Sequence, residues 1–255
     1  MRDGQAFCVE LMVGDYMKCK IYSYSDVGGR SNNEDEVATT FNENDLLAIA
    51  ADGLGGYSAG EIASKYVVSR FTEWGSDEQC TVESLLSVVE STNEQIRALQ
   101  NQYGKMMSTL AVLWIQIKER IATAINIGDT RIYQFRDGEI IFQSIDHSVA
   151  QIAVLAGDIC KEDIRNYHGR NRLIRALGAE DSVKTECVSL TIEIGDRFLL
   201  CTDGFWEIVT EDIMKTTLID SHDPEEWLSK MKDVIIVSTI NNKDNNSAIA
   251  IYIDK

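Results

Sequence analysis

Residues 109–144 read TLAVLWIQI, KER, IATAINI, GD, TRIYQF, RDG, EIIFQS: four strand-length apolar stretches parted by short polar breaks. Alternation with period two, β-branched and aromatic enrichment and the turn signals at Lys118-Glu119-Arg120, Gly128-Asp129 and Asp137-Gly138 predict an antiparallel meander. Working back, LLAIAA at 46–51 is a further strand-like run, ending abruptly in Asp52-Gly53. An alternating lead at 18–24 and a polar loop, SDVGGRSNNEDE at 25–36, precede it.

Between these β segments the period changes to that of a helix. Ser58 followed by Glu61 forms a capping box, and Ala63, Val67, Phe71 and Trp74 keep one apolar stripe, so a helix is expected from about Ala59. Val82, Leu85, Leu86, Val89, Ile96 and Leu99 give a second helix that pairs with the first. After the meander, 148–156 has helical patterning with Gly157 as its C-cap, and a charged stretch runs on to Arg172 as a surface flap. Strands are expected at 188–194 and 197–202, the second leading into Asp203-Gly204. A helix starts with Asp223 as N-cap and Pro224 in its first position, and a last strand at 247–253 follows Asp244-Asn245. The expected class is α+β: two antiparallel β-sheets packed as a sandwich and flanked by helices, with a helical surface flap at about 147–172. With one proline, no linker and no repeat, the expectation is a single domain over 1–255.

Composition narrows the function. The chain has 255 residues, 44% hydrophobic and 25% charged, the balance of a soluble globular protein. Its formal net charge of −17 repels phosphate backbones and anionic lipid, which argues against nucleic acid as a partner. No apolar run approaches the roughly 18 residues of a membrane span, and the first twenty residues lack the pattern of a secretory signal, so a cytoplasmic setting is expected. Six cysteines without C-x-x-C spacing read as reduced thiols in packing roles.

The chemistry-bearing residues are acids at strand ends. Asp52-Gly53, Asp203-Gly204 and Asp244-Asn245 each put a carboxylate at a sheet rim, and glycine after aspartate permits tight turning and close backbone approach. Carboxylates converging on one rim repel each other unless cations lie between them, and paired ions suit phosphate hydrolysis. Singly, Asp-Gly is an ordinary turn, which is the reading given to Asp137-Gly138. In the loop, Arg30 precedes Glu34 and Asp35 and could set a planar fork for phosphate beside a cation-facing acid, although adjacent acids near asparagines also suit a solvated turn.

The ordered set R-S-N-N-E-D, A-D-G-L-G-G, G-D-T-R, D-H-S, N-R-L-I-R-A-L-G, C-T-D-G-F-W and D-N-N-S resembles the protein phosphatase 2C family of metal-dependent serine/threonine phosphatases, in particular its bacterial members. The resemblance runs from about Tyr22 to Ile253. It implies hydrolysis of phosphoserine and phosphothreonine in proteins by a water bridging two Mg²⁺ or Mn²⁺ ions, with no covalent enzyme intermediate. Asp52 would bridge the ions, the Gly53 carbonyl would sit on one of them, and Asp203 and Asp244 would hold the other. Glu34 and Asp35 match positions that contact metal-bound waters, Arg30 the phosphate-binding arginine, and Asp129 a carboxylate that joins Asp203 at a third, weaker site. A turn acid between strands is the competing reading of Asp129. Many eukaryotic members carry a proton-donating histidine where Leu54 stands here, so the proton donor is unassigned. His147 reads as a structural turn residue, His168 and His222 as solvent-facing, and Cys201 as packing. Of Arg170, Arg172 and Arg175 in the flap, at least two are expected to pair with nearby acids such as Asp163. The implied partners are phosphoprotein substrates of a cognate serine/threonine kinase. The alternative is a catalytically silent phosphoprotein-binding domain on the same fold, which typically lacks one of the metal acids that this chain keeps.

Overall fold

A computed structural model of the chain describes residues 6–13 (backbone only), 17–42, 45–55, 59–77, 80–238 and 243–255. Two antiparallel sheets form its centre. The first contains β1 (Ala6–Val13), β2 (Met17–Asp26), β8 (Arg131–Arg136), β9 (Glu139–Gln143), β11 (Arg197–Cys201) and β12 (Asn246–Asp254), in the order β1-β2-β12-β11-β8-β9. The second runs β10-β7-β6-β4-β3, from β3 (Asp35–Phe41), β4 (Asp45–Gly55), β6 (Leu110–Gln116), β7 (Ile121–Ile127) and β10 (Val188–Thr191), and β5 (Met106–Ser108) pairs with the far end of β4.

The unbroken apolar run of β4 follows from its place between two layers. Leu46, Ala48 and Ala50 pack with Ile21, Phe198, Leu200 and Ile251 in the core between the sheets. The alternate residues Leu47, Ile49 and Ala51 meet Val67, Phe71, Leu85 and Val89 of α1 (Ala59–Gly75) and α2 (Val82–Tyr103). With both faces covered, every side chain is apolar until Asp52, which falls on the inner face where the sandwich reaches its rim. The first sheet's outer face buries Tyr133, Phe135, Leu199 and Tyr252 against α5 (Glu211–Ile219) and α6 (Pro224–Val237), through Met214, Trp227, Leu228 and Met231.

Several expectations change. The residues 109–144 form two hairpins, β6-β7 and β8-β9, in different sheets, and Gly128-Asp129 carries the chain between them. Alternation says that a strand is half-buried, and it carries no information about which ladder the strand joins. The strand at Asp52 does not stop there, because β4 continues through Asp52-Gly53 to pair Gly53 with Ser108. Asp203-Gly204 is likewise no turn, but the start of a single helical turn, α4 (Asp203–Trp206). Asp137-Gly138 is a turn, with φ of 52° and 80° at its two residues. The sequence reading assigns nothing to β1 or to α5, and α5 is announced only by Thr210, whose side chain accepts the Ile213 N–H at 3.4 Å. Asp223 caps α6 as expected by accepting the Glu226 N–H at 2.8 Å, with Pro224 in the first position. Ser58, the expected cap of α1, lies outside the described residues. The flap contains α3 (Val149–Ala156), capped by Ser148 and ended by Gly157 at φ 80°, then a short 3₁₀ helix (Lys161–Asn166).

Candidate active site

One cavity of about 700 Å³ opens at the rim where the two sheets meet, and Glu34, Asp52, Asp129, Asp203 and Asp244 all line it. These acids come from five separate stretches of chain, so the fold brings together what the sequence keeps up to 210 residues apart. Asp52 and Asp35 are cross-strand partners on β4 and β3. Asp203 opens α4, with Thr202 alone between it and β11, Asp244 stands one residue, Asn245, ahead of β12, and β11 and β12 are paired.

Both glycines beside these acids serve close approach. A Cβ on Gly53 would run into the Gly60 carbonyl at the start of α1, and one on Gly204 into the Asn245 carbonyl. The packing leaves the acids crowded in a poorly solvated place. Burial first, then the charges of Asp203, Asp35, Asp129 and Asp244, push the Asp52 carboxyl well above its ordinary range. Asp203 is raised in the same way, by burial and then by Asp129 and Glu207. Asp52 and Asp203 nevertheless keep part of their surface open to the cavity. Burial pushes Asp129 up to about 7, with Asp146 adding to it.

Asp35 is only 4% exposed and is not among the residues that line the cavity. It sits behind Asp52 and accepts the Thr202 hydroxyl at 2.7 Å. Burial raises it to about 7, against the lowering effect of its Thr202 and Ser247 hydrogen bonds. Glu34 is raised by burial and by Asp244, and it accepts the Gly60 N–H at the start of α1. Arg30 stands at the mouth with its side chain 48% exposed, and its Nη2 lies 2.6 Å from Asp244 Oδ2. Leu54 lines the cavity and has no proton to give.

The flap borders this cavity through Asn171 and Leu173. Among the described residues one of these arginines pairs with an acid, and that acid is not Asp163: Arg170 bonds Glu207 at 2.5 and 3.0 Å, while Arg175 Nη1 lies 2.8 Å from His147 Nε2, so the expectation of two arginine–acid pairs is not met. Asp163 instead accepts the Cys160 N–H. His147 Nδ1 accepts the Gly128 N–H at 3.2 Å and so ties the flap root to the Asp129 turn. Burial and then the Arg175 charge hold its ring at about 4. His168 and His222 are exposed, and Cys201 is fully buried in the outer core.

Sequence reasoning missed the residues that hold the acids in place. Asn245 accepts the Glu34 N–H at 2.8 Å and donates to the Val27 and Asn32 carbonyls at 2.8 and 2.9 Å, which fixes the whole Arg30 loop. Arg131, 2% exposed, forms a fork with Asp146 at 2.9 and 2.7 Å and stacks on Trp206 with its guanidinium carbon 3.5 Å from the ring centroid. The Trp206 indole in turn donates to the Asp129 carbonyl at 2.8 Å. Arg131→Met leaves Asp146 buried without its counter-charge, and a loss of about 3–5 kcal/mol in urea unfolding is expected; a loss below about 1 kcal/mol would show the pair to be dispensable.

A family model described as protein phosphatase 2C matches residues 24–235. A serine/threonine phosphatase of Listeria welshimeri is 28% identical over 87% of this chain and 90% of its own length. A putative protein phosphatase 2C-type protein of Streptococcus pyogenes is 30% identical over 84% of this chain and 90% of its own. Among solved structures, the catalytic domain of the serine/threonine phosphatase PstP in complex with two manganese ions superposes with a TM-score of 0.79 at 26% identity, covering 94% of this chain and 100% of that one. Fold and relatives together define a hydrolase, a serine/threonine phosphatase. The chain belongs to the protein phosphatase 2C family.

Proposed function

We propose that this phosphatase, acting as one catalytic domain, hydrolyses phosphoserine and phosphothreonine in proteins with two Mg²⁺ or Mn²⁺ ions held by Asp52, the Gly53 carbonyl, Asp203 and Asp244. Asp129, with Asp203, would serve a third, weaker site. The observation that carries the reading is the convergence of five acids on one cavity, with the buried ones raised by burial and by one another. Hard cations want oxygen donors, and the donor set offers nothing else. Among the described residues no three acid, thiol or imidazole side chains close on one point as a ready cage. Mg²⁺ does not require one, since it commonly takes one or two carboxylates and keeps several waters.

When bound, such a pair supplies a nucleophilic water near neutral pH and offsets charge on the phosphoryl oxygens. The chain's own residues do the rest. Arg30, at the mouth, offers a planar fork to the incoming phosphate. Glu34 orients water at the cavity wall, and Asp35 supports it from behind Asp52. Leu54 has no proton to give, so the departing seryl or threonyl oxygen takes its proton from water in the cleft.

The substrates would be the products of a serine/threonine kinase, met in the cytoplasm. Free thiols at all five described cysteines, and the absence among the described helices of any long and apolar enough to cross a membrane, are compatible with that setting. Release of phosphate from a phosphothreonine peptide on addition of Mn²⁺ tests the activity.

The acids also predict a pH signature of cation binding. Asp35 and Asp129 have folded values of about 7 against an ordinary 3.8, so the stability they contribute is complete below 3.8 and is lost as pH rises through 7. Cations that take up the ionised form reverse that loss. The rise in melting temperature produced by Mn²⁺ over EDTA should therefore be larger at about pH 8 than at about pH 5.5. An equal rise at both would contradict the assignment. His147, lowered from 6.5 to about 4, contributes in the opposite sense, with stability lost as pH falls between those values, and largely cancels in the comparison with and without Mn²⁺.

A further inference from the structure

The ladder between β4 and the chain through β5 and β6 is irregular at one place, the pair formed by Asp52 and Thr109. One bond there is ordinary, since the Thr109 N–H donates to the Asp52 carbonyl at 2.8 Å. The reciprocal bond is not. The Asp52 N–H donates at 2.8 Å to the Thr109 side-chain Oγ1, while the Thr109 carbonyl accepts the Ser108 hydroxyl at 2.8 Å. A hydroxyl has taken the place of a main-chain acceptor beneath the acid at the centre of the cavity.

That hydroxyl is itself held. Thr109 Oγ1 lies 2.6 Å from Thr130 Oγ1, and both residues are fully buried. Thr130 follows Asp129 directly, and Gly128, at φ 94°, presses its bare Cα against Thr109, where a Cβ would meet the threonine methyl at 2.7 Å. The two hydroxyls thus join the Asp52 peptide to the Asp129 turn, although β4 and the β7-to-β8 crossover are not neighbours in sequence. Buried hydroxyls in a dry site must be paired, so each fixes the orientation of the other.

We infer that Thr109 and Thr130 are positioning residues of the reaction: their hydroxyl pair sets the spacing at which Asp52 and Asp129 meet their cations. The inference rests on the proposed cation-binding role of these acids. Residues that support ligands from behind typically change metal affinity by about 10- to 100-fold when removed.

The test is calorimetric titration of the full chain with MnCl₂, without substrate. Thr109→Val keeps the shape and removes the hydroxyl; Thr109→Ser keeps the hydroxyl and removes the methyl. The expected result is Mn²⁺ binding about 10- to 100-fold weaker in Thr109→Val, and restored to near the wild-type value in Thr109→Ser. Thr130→Val should weaken binding too, and the double valine variant should be little worse than the worse single one, because the hydroxyls act as a unit. Wild-type affinity in Thr109→Val, or equal losses in the valine and serine variants, overturns the inference. Should Thr109→Val fail to fold, unchanged affinity in Thr130→Val, which leaves the Asp52 N–H bonded, overturns it equally. Asp52→Asn in the same titration separates the two levels: if it binds as the wild type does, the role given to Asp52 fails and the inference with it, whereas weak binding there beside normal binding in Thr109→Val removes the inference alone.

Discussion

Asp52→Asn is expected to lower turnover by about 10²- to 10⁴-fold, the equivalent of several kcal/mol of lost cation chemistry, while making the cation-free protein more stable. Both effects have one cause. The Asp52 carboxyl is buried and repelled by Asp203, Asp35, Asp129 and Asp244, so in the absence of cations its charge works against the fold. An amide of the same shape removes that repulsion and with it the charge that would attract and bridge two ions. A gain on the order of 1 kcal/mol in cation-free stability near neutral pH is the expected companion of the lost turnover, as for active-site groups held at a cost to stability. Asp129→Asn should cost far less turnover, since under the proposed assignment its carboxylate would serve only the weaker site. Equal and small losses in the two variants would mean that the ions are misplaced.

Thorough chelation should abolish phosphate release altogether, and Mn²⁺ or Mg²⁺ should restore it. The described residues offer no second route. Cys201 is fully buried, with its thiol pushed up by that burial, so it is no nucleophile. His147 is held near 4 and faces Arg175 and Gly128, and Leu54, which lines the cavity, has no proton to give. Arg30 can bind a phosphate but cannot attack it, and the cavity acids repel it. Turnover that survives EDTA would therefore count against the whole mechanism, whereas turnover restored by one cation alone would refine it.

Much of this was legible in the sequence because it depends on local pattern. Strand alternation located β6, β7, β8 and β9, the three-and-four spacing located α1 and α2, and Asp223-Pro224 marked the start of α6. The acids were legible as an ordered series of short motifs, each ambiguous alone. What was not legible is long-range. Nothing in IATAINI and TRIYQF says that they join different sheets, because half-burial looks the same in either ladder. α5 is short and its cap contact is long, so its signal is weak. The supports of the site were hidden for another reason: Thr109, Thr130 and Arg131 fall within strand-like runs, and nothing in those runs marks them as supports. Only coordinates show that the first two replace a ladder bond under Asp52, and that the third lies beneath Trp206 and pins the Asp129 carbonyl through it. At least two of Arg170, Arg172 and Arg175 were expected to pair with nearby acids, but among the described residues Arg170 alone does so, with Glu207, 37 positions away in the chain.

The most direct measurement is anomalous scattering from a crystal grown with Mn²⁺. Two strong peaks between Asp52, Asp203 and Asp244, with the Gly53 carbonyl turned to one of them, are the predicted result. Density that puts manganese elsewhere, or a cavity whose acids hold only water at saturating Mn²⁺, would contradict the account.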